Sequence, residues 1–107
     1  MTTFDKREEA FERKFAMDQE LRFKAVARRN KMLGLWAAGQ LGKDGADAAE
    51  YAKSVVLSDF EEAGDDDVVR KVKGDLDAAG LNRTETEIRS KMTELLATAI
   101  TDIESGR

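Results

Sequence analysis

The side chains best able to do chemistry are few in this chain of 107 residues. It has no histidine and no cysteine. That removes the commonest general base and metal ligand, thiolate catalysis, disulfides and Cys-ligated metal. Ser54, Ser58, Ser90 and Ser105 therefore lack the His partner that nucleophilic catalysis would need. The glycines form neither a GxxxxGK[ST] phosphate loop nor a GxGxxG turn. Asp65, Asp66 and Asp67 suggest calcium at first sight. However, they lack the alternating oxygens, central Gly and terminal Glu of an EF-hand loop. They read better as carboxylates that cap a helix and oppose its N-terminal dipole. No metal site is expected, and no enzyme. The one concentrated charge signal is LRFKAVARRNKMLGLWAA, residues 21–38. Arg22, Lys24, Arg28, Arg29 and Lys31 follow one another there with no acid between them, ahead of the single Trp36. Such a run can hold phosphate groups, so weak ATP or ADP binding is one reading. The other is a solvated basic face that pairs with acidic helices of the same domain. Nucleic acid is not expected, because the whole chain is acidic.

The elements that carry these residues follow from composition and period. Charged residues make up 37% of the chain, against roughly 25% in ordinary globular domains. Proline is absent and Ala, Glu, Lys, Arg and Leu are abundant, so the expected class is all-α. The net charge of −4 hides an asymmetry: residues 1–36 carry +3 and residues 37–107 carry −7. Such asymmetry often marks a part that meets a partner. The start, MTTFDKREEAF, is charged at once and reads as neither a secretory nor a mitochondrial signal. No stretch approaches the roughly 18 apolar residues of a spanning helix. A cytoplasmic protein with no direct membrane insertion is expected.

Helical periodicity divides the chain into four segments. The first runs to about Leu41, and Gly42-Lys43-Asp44-Gly45 reads as a loop. The second starts near Asp44 or Asp47, where Asp47 and Glu50 have capping-box spacing. It carries Ala48, Ala52, Val55, Val56, Phe60 and Ala63 on one face and closes at Gly64. The third carries Val68, Val69, Val72, Leu76 and Ala79 and stops at Gly80. A capping box from Thr84 to Glu87 opens the fourth, with Ile88, Met92, Leu95, Leu96, Ala99 and Ile103 inward. The short connections imply antiparallel neighbours and a small four-helix bundle.

The amino terminus departs from this pattern. Phe4, Phe11 and Phe15 form a stripe whose continuation falls on the charged Asp18 and Arg22. A new face begins with Leu21, Ala25, Met32 and Trp36, joined by Val26 and Leu33. Residues 1–18 are thus expected not to be packed by the bundle of residues 19–107. Two readings stay open. The phenylalanines fold back onto the core, or the segment is an arm that folds into a partner's groove. A lipid-surface helix fits poorly, since its polar face holds as many acids as bases.

The segment FERKFAMDQELRFKAVARRNKMLGLWAA, residues 11–38, resembles the zeta subunit of α-proteobacterial F-type ATP synthases. The resemblance extends through AEYAKSVVLSDFEEAGDDDVVRKVKGDL, residues 49–76, and the tail IRSKMTELLATAI. It implies a four-helix protein with a mobile N-terminal arm that inhibits ATP hydrolysis by the catalytic head. It further implies that the arm inserts at a catalytic α/β interface against the rotor γ subunit. Carried over by position, the arm is residues 1–18, with Phe4, Arg7, Phe11, Arg13, Lys14 and Phe15 as partner contacts. The free protein is then expected to be a monomer that needs no cofactor. It would reach the cytoplasmic face of the membrane only through the synthase. Met17 stands where the family often has His, and Gln19 where it often has an acid. Met17 removes an obvious pH-sensing group.

Overall fold

The computed structural model describes residues 19–60 and 64–106. The arm assigned to residues 1–18, with Phe4, Arg7, Phe11, Arg13, Lys14 and Phe15, lies outside the described residues. Four helices follow in order: α1 (Gln19–Gln40), α2 (Gly45–Ser58), α3 (Asp66–Ala78) and α4 (Glu85–Glu104). There is no strand among the described residues. The expected all-α class and helix number both hold.

Each boundary has a local cause. Past Gln40, the Leu41 N–H still bonds Ala37 O at 2.9 Å, and Gly42 then takes φ 77°, which ends α1. The chain is extended at Asp44 (φ −144°, ψ 172°), so α2 begins at once at Gly45. The capping box expected between Asp47 and Glu50 therefore does not form. Asp47 already lies in the first turn, where its carboxylate opposes the dipole instead. At the other end α2 stops at Ser58, short of the expected Gly64. The Asp59 and Phe60 amides bond Val56 O (3.3 Å) and Leu57 O (3.2 Å), a tightening that turns the chain off the helix. Phe60 thereby leaves the inward face it was expected to share and is 72% exposed. Ala63 lies outside the described residues. The Thr84–Glu87 box does form, with Glu87 N–H donating to Thr84 Oγ1 at 3.1 Å and Thr84 N–H to Glu87 Oε1 at 3.5 Å.

The core joins Leu33 and Ala37 of α1, Val55 of α2, Val68, Val69, Val72 and Leu76 of α3, and Ile88 and Met92 of α4. Trp36, Leu41, Tyr51 and Leu95 close its edges. Fully burying a Leu, Ile or Val side chain contributes about 1.5–3 kcal/mol, and no one helix keeps enough of these residues dry alone. Ala79, expected inward, is exposed, because it stands at the C-cap beyond the last buried turn. Helix α1 packs on α2 and α4 and also reaches α3. Its crossing with α2 is close: a Cβ on Gly34 would stand 2.5 Å from Ala52 Cα. Only a hydrogen fits there.

Candidate functional site

The basic run lies wholly on α1, where the helical period splits it. Arg22 and Arg29 fall on one side, and Lys24, Arg28 and Lys31 on the opposite side. Five cations that look continuous in the sequence therefore do not make one patch. Arg22, Lys24 and Lys31 are exposed. Lys24 lies 3.3 Å from Glu20, one turn earlier. Arg28 is half-buried, with Nη2 3.8 Å from Asp102 of α4.

Arg29 is different in kind. It is only 3% exposed. Its Nη2 and Nη1 donate to the two carboxylate oxygens of Asp65 at 2.8 and 3.3 Å. Its Nε and Nη2 donate to Asn30 Oδ1 at 3.1 and 2.9 Å. This fork ties the middle of α1 to the residue before α3, and the Asp65 side chain makes no bond to the cap itself. Asp67 instead accepts from the Val68 N–H at 2.8 Å while 1% exposed. Arg29 is thus a cation held inside the domain and does not face solvent with the rest of the basic run. The signal was present in the sequence: steps of four from Ala25 to Leu33 and Ala37 pass through position 29. Its charge hid its place on the inward stripe.

Three further groups were not singled out by sequence. Asn30 is buried, and its Oδ1 accepts from both Nε and Nη2 of Arg29. The Asp59 carboxyl is held above the usual carboxylate range. Burial is the main cause, followed by the negative charge of Asp67. The Asn30 amide, Arg29 and Asp65 then act more weakly, the first two downward and the third upward. The Tyr51 hydroxyl donates to Asp75 Oδ2 at 2.8 Å, and Lys71 donates to the same oxygen at 2.9 Å, joining α2 to α3. Burial, and then the Asp75 carboxylate, push the Tyr51 hydroxyl far above its ordinary value, so it stays a donor.

No group of three or more acidic, His or Cys side chains could hold a metal among the described residues. No described helix is long and apolar enough to cross a membrane. What remains conspicuous is the start of α1. Residues 19–24 are exposed except for the half-buried Leu21, and Phe23 is 68% exposed. The position that would continue the Phe4, Phe11 and Phe15 stripe, Arg22, is exposed as well.

The whole pattern matches one family model, ATPase inhibitor subunit zeta, over residues 1–102. The chain belongs to this family. A zeta-family chain is an inhibitor subunit of an ATPase, so its role is regulatory. The match includes residues 1–18 as well as the four helices. Among solved structures, a chain determined by solution NMR is 50% identical to this zeta-family protein, with a TM-score of 0.72. That match covers 81% of this chain and 99% of the other. A comparison with curated proteins gives no match.

Proposed function

We propose that this zeta-family chain inhibits ATP hydrolysis by the catalytic head of an F-type ATP synthase, and that residues 1–18 are its inhibitory arm. The arm enters a catalytic α/β interface and meets the γ rotor. It lowers the free energy of one rotational state and leaves the next costly to reach. The protein does no chemistry of its own and works at the cytoplasmic face of the membrane through the synthase. The observation that carries this reading is the family match from residue 1, joined to a stripe of Phe4, Phe11 and Phe15 that stops at Asp18 and the exposed Arg22. An apolar stripe followed by solvated charges suits a segment whose partner lies elsewhere.

Interface energies concentrate in a few buried aromatic or Arg anchors. Phe11 is the central one of the three phenylalanines, flanked by Arg7, Arg13 and Lys14. The test is a dose–response of ATP hydrolysis by the purified native head, with wild type and single alanine variants. Phe11→Ala should lose about 2 kcal/mol, a factor near 30 in affinity. Glu9→Ala and Glu12→Ala should stay near wild type. A wild-type chain that leaves hydrolysis untouched would refute the reading. A weak ATP or ADP site on the face shared by Lys24, Arg28 and Lys31 is a compatible second element. Its test is an NMR titration, in which binding should fade as salt screens exposed charges.

A further inference from the structure

Apolar exposure is concentrated at one end of the bundle. Phe60, Phe23 and Leu57 are the most exposed large apolar side chains among the described residues, at 72%, 68% and 54%. Phe23 lies in the second turn of α1, and Leu57 and Phe60 stand three residues apart at the end of α2. Phe23 and Phe60 line one narrow cleft of about 50 Å³ together with Val26, Ala27 and Val56. Single exposed apolar side chains are ordinary, but neighbouring ones around a cleft mark a surface that meets something. A small-molecule pocket needs about 300 Å³ or more, so this cleft does not hold a metabolite or cofactor. It has room for the tip of one apolar side chain. Area narrows the partner further. At about 200 Å² for a whole phenylalanine, the two rings leave about 280 Å² open. Leu57 enlarges the patch, yet it stays well below the roughly 800 Å² that each partner buries in a stable interface. A second copy of this chain, held by this patch alone, would not stay bound. The patch suits a partner that a separate contact already holds.

We propose that Phe23, Leu57 and Phe60 form a docking surface for the ATPase itself, seated on an apolar side chain of the catalytic head beside the place where residues 1–18 enter it. The inference rests on the reading of residues 1–18 as the inhibitory arm and adds a second contact with the same partner. Three observations favour this occupant. The chain belongs to a family of ATPase inhibitor subunits, so an ATPase is the partner that its family supplies. The segment assigned as the arm joins α1 at Gln19, four residues before Phe23 and about 6 Å from it along the helix. A head that holds the arm therefore lies against this end of the bundle. The patch is also too small to act alone, which is the property of an auxiliary contact. Once the arm is bound, the patch is tethered to the head by a short link, and its effective concentration there is in the millimolar range. A weak apolar contact then closes readily. It fixes how the bundle sits on the head, and release requires both contacts to break, so dissociation slows.

The test uses the full chain and the purified native head, and reads binding and ATP hydrolysis against inhibitor concentration. Phe60 lies past the end of α2, and both rings are mostly solvated, so Phe60→Ser and Phe23→Gln spare the core. Each should weaken binding about three- to tenfold, mainly through faster dissociation. Leu35 is 43% exposed on α1 and does not line the cleft, so Leu35→Ser should stay within about twofold of wild type. A benzoylphenylalanine photocrosslinker in place of Phe60 should capture a subunit of the head. Capture of a second copy, or of this chain's own residues while the head is bound, overturns the docking surface. So do Phe60→Ser and Phe23→Gln variants that bind like wild type; where wild type still inhibits, the arm reading stands without the surface. If both variants bind weakly but Phe11→Ala inhibits as well as wild type, the surface stands and the arm reading falls. A wild-type chain that does not bind the head overturns both.

Discussion

Gly34 offers a test in which two effects of known sign oppose each other. Replacing Gly by Ala in a helix interior ordinarily stabilises by about 0.8–1.0 kcal/mol, because the unfolded chain loses freedom. At Gly34 the added methyl would lie 2.5 Å from Ala52 Cα, 3.1 Å from Ala52 Cβ and 3.3 Å from Ala52 O. Carbon atoms rest at about 3.5–4.0 Å, so α1 and α2 must part by roughly 1 Å. The nearest obstacle is backbone, which no rotamer change can move aside. Overpacking of this kind costs about 1–3 kcal/mol, and a backbone clash belongs at the upper end. Net destabilisation of about 1–2 kcal/mol should remain. In a domain of this size that lowers Tm by roughly 5–15 °C. The control is Gly39→Ala in the same helix, where an added Cβ meets nothing within 4 Å. There the helix-propensity gain should act alone and raise Tm by a few degrees. Thermal unfolding followed by circular dichroism at 222 nm reads both. A Gly34→Ala variant as stable as wild type, or more so, would show that the α1–α2 crossing is not closely packed and that this reasoning is wrong.

Two more predictions concern the polar residues that hold α3 in place. Asp65→Ala removes the carboxylate that the nearly buried Arg29 guanidinium bonds twice, and should cost about 2 kcal/mol, less than a fully buried pair because the Asp65 side chain is 44% exposed. Asp66→Ala, which removes an exposed pair with Arg89 and one first-turn charge of α3, should cost less than about 1 kcal/mol in the same denaturant titration. Equal losses would mean that the Arg29 fork contributes nothing special. Asp59→Asn should raise Tm at neutral pH. Its folded pKa lies above the unfolded one, so the ionised form costs stability at high pH and the cost disappears on acidification. The gain should stay below about 1 kcal/mol, because water screens a partly exposed carboxylate. It should shrink as pH falls through the folded pKa of Asp59. A gain that grows in acid would reverse the assigned sign.

Fold class, helix number and most of the core are local consequences of the sequence. Apolar residues recur at helical spacing in every segment, and Thr84 with Glu87 carries its cap within four residues. The expectation that residues 1–18 stand apart has the same local origin, since their stripe runs into Asp18 and Arg22. The fate of particular side chains was settled by tertiary contacts. Arg29 looks in sequence like its neighbours in a basic run. It is buried because the α1 period turns it inward and α3 brings Asp65 to meet it from thirty-six residues away. Phe60 looks like the last member of an inward stripe. It is exposed because the chain turns two residues earlier, at Ser58. Gly34 gives no sign in the sequence that Ala52 will press against it. Periodicity says which face of a helix is apolar. Which partner arrives at that face, how closely, and which charge it brings depend on the packing of four helices at once, and only the folded bundle decides that.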